Sequence, residues 1–514
     1  MSKSAVEWRR GLLLLSESKP PKSPRGFKQL HAIFLTTGLA LHSQPFSRLL
    51  LLSSLPPLSA SLDGGASYSC SLLLYSPRPP STFLSNTLTS SLASAGHLHL
   101  ALSLYSLLPL HPTTTSPNPH TYPSLLKACS SSPLFLRIGL SLHAHLLKLL
   151  PLPLDHFVLT SLLILHSRLD RQEVCRHLFD LIPCPDLAAW NAVLSAYARH
   201  SSDDCSSAEE ALSLFRRLQL FHSAALPNEI TLVAIISACG NLGALGQGIW
   251  AHAYVERRRS LTLNRFVCAA LIEMYSKCGR LDLAHQVFVA LPLKEKDTFC
   301  YNAMIGGLAT HGQGPGALSL FEEMQAEGLP PDDVTFVVVI SACAHAGRVE
   351  EGLQCFAAME LEFGIKPKVE HFVCLVDLLG RAGKIEEAEE VVRILPFNPN
   401  AILFRTLLGA CRVHNNWQVG ERASRQLVQL EPSHGGSFVL LSNMYADVCQ
   451  WDEALKIRKI MKQKGIDKSP GLSLVEVDGV VNEFAMGDQT HPDITEIYMM
   501  LALISSTFLV MLEA

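Results

Sequence analysis

Six glycines recur at one fixed position in a repeating unit of this chain, and this repetition limits the fold more than any other feature. Each lies ten residues after an equivalent anchor position, and each is followed five residues later by alanine or glycine. The glycines are Gly96, Gly243, Gly279, Gly312, Gly347 and Gly383, and their anchors are Asn86, Val233, Ala269, Asn302, Val337 and Val373. Glycine permits a tight turn between two helices, and a small residue one turn later permits close packing. The pattern predicts helical hairpins.

The spacing of the anchors predicts how these hairpins assemble. Pro123, Thr160 and Asn191 fit the same alignment without the glycine, and the nine anchors are separated by 37, 37, 31, 42, 36, 33, 35 and 36 residues. A period in the middle thirties is typical of helix-turn-helix solenoids, in which each unit buries its apolar face against its neighbours. Anchors three repeats apart are separated by 104 to 111 residues. We therefore predict an all-α fold, an α-solenoid whose larger unit is a triplet of repeats.

Composition argues against several other classes of protein. The formal charge of −4 does not favour long-range attraction to phosphate. No apolar run reaches the eighteen residues that a bilayer span requires, so we expect no membrane association. None of the fourteen cysteines forms a C-x-x-C pair, and no histidine has a glutamate two residues later. We therefore predict no zinc-deaminase centre, no metal site, no cofactor and no catalytic residue.

Single residues do not overturn this expectation. Cys129, Cys239 and Cys343 occupy equivalent places in their repeats, which is typical of small packing residues. His143 and His145 are two residues apart in a helical segment and so do not share a face. We interpret both sets as structural.

The first 25 residues are basic, contain serine and have few acidic residues. Their charged residues are Lys3, Arg9, Arg10, Lys19, Lys22 and Arg25, against Glu7 and Glu17. This composition is typical of an organellar transit peptide, although an ordinary solvated terminus can have it as well.

Proline followed by Asp or Asn marks several joints between repeats. These joints are Pro117-Asn118, Pro185-Asp186, Pro227-Asn228 and Pro331-Asp332. Proline interrupts the preceding segment, and the next side chain can cap the helix that follows. In an arbitrary protein such a residue is usually a cap, so the residue type alone leaves open whether it also contacts a ligand.

The repeats resemble those of the plant pentatricopeptide-repeat family. The segments that carry the resemblance are Trp190–Tyr197, Ala270–Gly279, Tyr301–Ile305 and Val369–Gly383. The resemblance covers roughly residues 26–500 and implies a right-handed superhelical solenoid. Residues 26–81 are similar to a degenerate N-terminal repeat region, and residues 82–400 to an array of standard, long and short repeats.

Residues 401–500 resemble the C-terminal E/E+ extension of that subclass. The matching segments include Leu407–Asn416, Val439–Ala446 and Trp451–Ala454, whereas Leu474 stands where the family usually has tryptophan. We expect this extension to form further helical hairpins, and we interpret residues 501–514 as an atypical tail. Longer relatives continue into a deaminase-like domain, whose zinc motif this sequence lacks.

The resemblance implies that each repeat contacts one base of a single RNA strand through its anchor and its last residue. The pairs expected to discriminate bases are Asn86 with Asn118, Thr160 with Asp186, Asn191 with Asn228, and Asn302 with Asp332. A carboxylate only accepts hydrogen bonds and so favours a ring N–H, whereas an amide both donates and accepts. With the family's pairings, the nine repeats predict the site 5′-Y-n-G-Y-n-n-U-n-n-3′.

A second row of residues lies three positions before the anchors. It consists of Phe83, His120, Phe157, Ala188, Ile230, Phe266, Phe299, Val334 and Glu370. In the family this position wedges between neighbouring bases, but an apolar residue near a helix start can equally be a packing contact. Both interpretations stay open from the sequence.

The resemblance implies a non-enzymatic organellar RNA-binding protein that specifies a C-to-U editing site and recruits a deaminase in trans through residues 401–500. The mitochondrion is slightly favoured over the chloroplast. Two alternatives are a protein-binding solenoid scaffold and an organellar RNA-processing or stabilising factor without an editing role. Uneven triplet spacing argues against the scaffold, whose repeats would have an even period of 34 residues.

Overall fold

The computed structural model describes residues 24–54, 68, 70–71, 82–107, 117–149, 154–200, 205–220, 226–258, 264–292, 294–466, 471–477, 480–485, 489 and 491–513. Most of the basic leader, residues 1–23, lies outside the described residues. The helices fall into two compact units. One contains the described residues up to His200 together with 213–227, and the other contains the described residues of 201–212 and those from Asn228 onward.

The first unit is helical throughout its described residues. Its helices are α1 (Pro24–Thr37), α2 (Ser43–Ser54), α3 (Thr82–Ser94), α4 (Leu98–Leu107), α5 (Tyr122–Ser130), α6 (Leu136–Leu149), α7 (His156–Arg168), α8 (Gln172–Asp180) and α9 (Leu187–His200). Short 3₁₀ helices lie at Leu39–Leu41 and Pro133–Phe135. Helix α10 (Cys205–Leu220) has residues in both units.

The second unit continues the succession of hairpins. Its helices are α11 (Glu229–Leu242), α12 (Leu245–Arg257), α13 (Arg265–Lys277), α14 (Leu281–Ala290), α15 (Thr298–Thr310), α16 (Gly314–Ala326), α17 (Asp333–Ala346), α18 (Val349–Leu361), α19 (Val369–Arg381), α20 (Ile385–Arg393), α21 (Ala401–Val413), α22 (Trp417–Leu430), α23 (Gly435–Asp447), α24 (Trp451–Gln463) and α25 (Ile494–Glu513). Two strands, β1 (Leu472–Val477) and β2 (Val480–Ala485), lie between α24 and α25.

The first helices of successive repeats form one layer. In the second unit, α11, α13, α15, α17, α19 and α21 each pack against the next, and each second helix packs against its own partner and the following first helix. In the first unit α3, α5, α7 and α9 are arranged in the same way. The core lies between the two layers, where residues such as Phe336, Val376 and Leu407 are buried.

The predicted glycine turns are confirmed. All six glycines have a left-handed backbone, with φ between 69° and 84°. The same position, ten residues after the anchor or its structural equivalent, is occupied in other hairpins by Asp170, Asn415 and Cys449, with φ of 53°, 55° and 60°. The register therefore extends through α23 and α24, where the sequence has no glycine to mark it.

The small residues five positions later have a second role besides the predicted one within their own hairpin, since a Cβ at Gly352 would lie 3.1 Å from Cys343 Cβ of the same hairpin. A Cβ at Gly248 would lie 2.5 Å from Met274 Sδ, and one at Gly352 would lie 2.5 Å from Leu378 Cδ2. Met274 and Leu378 belong to the first helix of the next repeat. The small residue thus makes room for the following repeat as well as for its own hairpin.

The prediction of helical hairpins up to residue 500 is wrong over residues 472–477 and 480–485. These residues form an antiparallel strand pair in which Val477 lies opposite Val480 and Leu472 opposite Ala485. Valines and alternating polar residues favour a strand over a helix here, because β-branched side chains fit a pleated surface. The dipeptide Asp478-Gly479 between the strands is a hairpin signal that the sequence already contained.

The strand pair returns to the start of the second unit. Both carboxylate oxygens of Glu476 accept from the backbone N–H of Gly246, at 3.1 and 3.2 Å, in the first turn of α12. A carboxylate is favourable at a helix N-terminus, where backbone N–H groups lack helical partners. Among the described residues, no helix is both long enough and apolar enough to cross a membrane.

The left-handed residues allow a test of the hairpin register. Cys449 adopts φ of 60° with a side chain, a conformation that costs an L-residue about 1 kcal/mol relative to glycine. We expect Cys449→Gly to raise the free energy of unfolding by up to about 1 kcal/mol, and Gly347→Ala, at φ of 70°, to lower it by a similar amount. Chemical denaturation of both variants measures this. A loss of stability in Cys449→Gly would contradict the assigned turn.

Candidate nucleic-acid interface

The anchors lie in the second turn of the first helices, where neighbouring repeats pack together. Asn302 is 5% exposed and Thr160 is 7% exposed, whereas Asn86 and Asn191 are half-buried. The burial of Asn86, Thr160 and Asn302 follows from the packing of their first helices against the next ones. The anchors are therefore held within the layer, and each one's partner residue lies at the start of the following first helix.

Asn302 and Asp332 form the clearest of the predicted pairs. The Nδ2 group of Asn302 donates to Asp332 Oδ1 at 3.0 Å. A carboxylate cannot donate, so this contact fixes which end of the Asn302 amide carries nitrogen. Asn302 Oδ1 is buried and has no hydrogen-bond partner within the described part of the chain. Asp332 is exposed, so the pair joins a buried amide to an exposed carboxylate.

Asn86 and Asn118 repeat this arrangement in the first unit. Asn86 Nδ2 donates to Asn118 Oδ1 at 2.9 Å. The Thr121 hydroxyl donates to Asn86 Oδ1 at 2.8 Å, and so connects the anchor to the next first helix. Two of the four predicted pairs are thus joined directly.

The side chains of Thr160 and Asp186 are not hydrogen-bonded to each other in the described part of the chain. Asp186 accepts from the backbone N–H of Ala189 at 2.8 Å. A threonine hydroxyl is shorter than an asparagine amide, which accounts for the difference from Asn302. Asn228 belongs to the second unit and accepts from the backbone N–H of Thr231 at 3.1 Å.

The last residue of a repeat is both a helix cap and the partner of the anchor. Asp332 Oδ1 accepts from the backbone N–H of Thr335 at 2.8 Å, and the same oxygen accepts from Asn302. The same residue can therefore cap a helix and also contact a ligand. Because Oδ1 holds the side chain in place, the second carboxylate oxygen of Asp332 remains for another donor or a ring N–H.

The sequence interpretation missed the threonines that orient these caps. The Thr335 hydroxyl donates to Asp332 Oδ1 at 2.8 Å and accepts from the Asp332 backbone N–H at 3.0 Å. Thr231 makes the same reciprocal contacts with Asn228. The spacing of Asp or Asn and a threonine three residues later is a capping-box signal, and it could have identified these residues.

The row of residues three positions before the anchors is exposed. All nine are exposed, and six large apolar members keep between 50% and 68% of their surface: Phe83, Phe157, Ile230, Phe266, Phe299 and Val334. Phe266 and Phe299 come from successive repeats, and their ring centroids are 6.1 Å apart. This exposure favours a surface for stacking over an internal packing contact. Arg265 lies 4.9 Å above the Phe266 ring and adds a cation to this surface.

Buried cysteines and histidines in the described repeats have structural surroundings. Burial raises the pKa of Cys129 to about 11 and that of Cys239 to about 12, so both thiols stay protonated at neutral pH. His143 lies 3.0 Å from His166, whereas His145 contacts Tyr105 at 2.5 Å, so the two predicted histidines have different neighbours. The described residues contain no group of three or more His, Cys, Asp or Glu side chains arranged to hold a metal ion.

Models of known protein families match the repeat region and the C-terminal extension. Residues 296–345 match the model of the PPR repeat family, residues 334–362 and 370–395 match that of the PPR repeat, and residues 414–476 match the E motif. The pentatricopeptide repeat-containing protein At5g43790 of Arabidopsis thaliana is 45% identical over 92% of this chain and 99% of its own length. The chain belongs to the pentatricopeptide repeat family. The E motif confirms the predicted subclass with a C-terminal extension.

Relatives in this family are named for both organelles. The Arabidopsis thaliana protein ELI1, named as chloroplastic, is 37% identical over 93% of this chain and 77% of its own length. The Arabidopsis thaliana protein At2g03880, named as mitochondrial, is 36% identical over 74% of this chain and 58% of its own length.

A solved structure confirms the fold class. The pentatricopeptide repeat protein PPR10 from maize superposes on 86% of this chain and 67% of its own, with a TM-score of 0.51 at 16% identity. The predicted α-solenoid is therefore confirmed. PPR10 has also been crystallised in complex with an 18-nucleotide psaJ RNA element, in a form that gives a TM-score of 0.25 over 91% of this chain and 95% of its own, at 13% identity.

The exposed row allows a direct test of the surface. We expect Phe299→Ala to weaken binding to single-stranded RNA by roughly 1–3 kcal/mol, because an aromatic stacking contact is lost. The fold should be little affected, because more than half of the side chain is exposed. Leu361→Ala, at an exposed site at the end of second helix α18, is the matched control and should bind as the unchanged protein does. Fluorescence anisotropy measures the RNA affinity of both variants. If Phe299→Ala binds RNA as tightly as Leu361→Ala does, Phe299 is not part of the RNA-binding surface.

Proposed function

We propose that this protein binds one single-stranded organellar RNA in a sequence-specific manner and specifies a site of C-to-U editing on it. The observation that carries the proposal is the Asn302–Asp332 pair, in which the cap of one first helix is hydrogen-bonded to the anchor of the preceding one. Asn86 and Asn118 repeat this pairing. The RNA complex of the maize family member PPR10 supports an RNA ligand.

The chemistry of each pair sets its base preference. Asp332 offers only acceptors, so its repeat selects a base with a ring N–H, and the pairing with Asn302 favours U. The pairing of Thr160 with Asp186 favours G. The pairs Asn86 with Asn118 and Asn191 with Asn228 contain both donors and acceptors, so they accept C or U. Repeats with apolar anchors discriminate little, which gives the site 5′-Y-n-G-Y-n-n-U-n-n-3′.

Asp332→Asn separates the reading role from the capping role. Asparagine caps a helix about as well as aspartate does, so thermal stability should change little. The new amide donates as well as accepts, so affinity for C relative to U at the seventh base should rise about ten-fold, or roughly 1.4 kcal/mol. Binding to RNAs that differ only at this base measures the change. Asp297→Asn is the matched control, because Asp297 also caps a helix but is paired with the apolar Ala269.

Thr160→Asn provides a second test in the first unit. With Asp186 kept, the third repeat acquires the same residue types as the pair Asn302 and Asp332. We expect the preference at the third base to move from G toward U. Competition among four RNAs that differ at this base measures it. Equal affinity for all four bases, both before and after the substitution, would contradict the pairing.

We further propose that residues 401–500 recruit a deaminase in trans and that the protein itself has no catalytic role. The E motif match over residues 414–476 and the resemblance of the extension to its subclass support recruitment. The sequence contains neither H-x-E nor C-x-x-C, the residue types that zinc deaminases use. Purified protein mixed with RNA should therefore leave cytidine unchanged. Conversion of cytidine to uridine within the RNA, with release of ammonia, by repurified protein would contradict this assignment.

Sequencing of organellar transcripts from a plant that lacks the protein tests the editing role. We expect one or a few cytidines to stay unedited downstream of a match to the predicted nine-base site. If transcript ends or abundance change while editing is complete, the protein is instead a processing or stabilising factor. Relatives carry both chloroplastic and mitochondrial names, so both organelles are sequenced. The slight preference for the mitochondrion stays a prediction.

A further inference from the structure

The hairpin α21–α22 keeps the repeat register beyond the nine repeats that the sequence identified. Asn400 caps α21 by accepting from the backbone N–H of Leu403 at 3.1 Å. In the repeats that begin with Asp297 and Asp332, the anchor lies five residues after the cap, and the equivalent residue here is Arg405. Ten residues later, Asn415 adopts the left-handed turn with φ of 55°. Arg405 therefore occupies the anchor position of a tenth repeat.

Arg405 is also held by a side-chain contact to the joint that follows its hairpin. Its guanidinium donates to Glu431 Oε1 at 3.0 Å, and Glu431 lies in the joint before the next first helix, α23. Glu431 is the C-cap of α22 and precedes His434, the N-cap of α23, by three residues, whereas Asp332 is itself the N-cap of α17. Arginine has five N–H donors, and Glu431 is its only hydrogen-bond partner among the described residues. The ion pair thus orients the guanidinium and leaves donors for a ligand.

A groove runs from the ninth anchor to the tenth. It has a volume of about 850 Å³ and is lined by residues of α17, α19 and α21, among them Val373, Asp377, Arg381, Arg405, Thr406 and His414. A volume of this order is sufficient for a ligand of small-molecule size. Ile402, three positions before Arg405, is half exposed and continues the row that contains Phe299. The features of a nucleotide subsite are thus present together in this hairpin.

We propose that the hairpin α21–α22 binds a tenth nucleotide, on the 3′ side of the nine-base site, and that Arg405 selects cytosine there. This inference rests on the proposed function. Arginine only donates hydrogen bonds, so it disfavours a base that presents a ring N–H, as U and G do on their pairing edges. Cytosine presents two adjacent acceptors, O2 and N3, which match two donors of a guanidinium. Arg405 is thus the chemical opposite of Asp332 at the seventh repeat.

The test measures binding of the full chain to four RNAs of twelve nucleotides by fluorescence anisotropy. All contain the nine-base site, differ only in the tenth base and end in two adenines. We expect the RNA with cytosine to bind about ten-fold more tightly than the RNA with uracil. With Arg405→Ala the four affinities should become equal, while affinity for the nine-base site itself is retained. Arg412→Ala, an exposed arginine of the same helix outside the groove, should behave as the unchanged protein does.

The outcomes separate this inference from the proposed function. If the unchanged protein distinguishes the nine-base site from a scrambled RNA but binds all four tenth bases equally, only the inference is overturned. If it binds the scrambled RNA as tightly, both are overturned. Should Arg405→Ala lose binding altogether through misfolding, Arg405→Gln retains a donor for Glu431, and its preference for cytosine over uracil should also disappear. A cytosine preference that survives Arg405→Gln would exclude Arg405 as its source.

Discussion

Within each compact unit, close packing of one first helix against the next determines where the polar side chains of the proposed interface lie. Small residues permit this contact, since a Cβ at Gly240 would lie 2.9 Å from Met274 Cα and one at Gly380 would lie 2.6 Å from Ala410 Cβ. At this separation an anchor such as Asn302 is nearly buried, and its amide reaches the cap of the neighbouring helix. The bond is part-buried, because Asn302 is nearly buried and Asp332 is exposed, and it orients the amide before any ligand arrives.

One oxygen atom of the capping residue both caps a helix and contacts the anchor, so helix formation and base recognition depend on the same atom. Asp332 Oδ1 accepts from the backbone N–H of Thr335, from the Thr335 hydroxyl and from the amide of Asn302. Asp332, the last residue of its repeat, thereby caps the first helix of the next repeat and orients the anchor of its own repeat, Asn302. The chemistry of the anchor can change, as it does at Arg405, without loss of the capped helical hairpin that positions it.

Much of the fold could be predicted from the sequence, because glycine at a left-handed turn is a local requirement that leaves a visible mark. No glycine marks the turns at Asp170, Asn415 and Cys449, which adopt the same conformation with side chains. The anchor Thr160 kept the register around Asp170, but it was lost at Asn415 and Cys449. The strand pair after α24 was missed because family resemblance outweighed the local signal of Asp478-Gly479. Residue types indicated the candidate pairs, but the burial of Asn302 depends on helix packing, which no local pattern encodes.

The contact between Glu476 and Gly246 joins two residues of the second unit that are 230 positions apart in the sequence. If the helices between Gly246 and Glu476 changed their common pitch, the distance between these two residues would change. The contact is exposed and consists of a single carboxylate on one backbone N–H, so it is weak compared with the buried layer and yields first. A change in the pitch of the helices between would therefore separate Glu476 from Gly246 before it disturbs the buried layer.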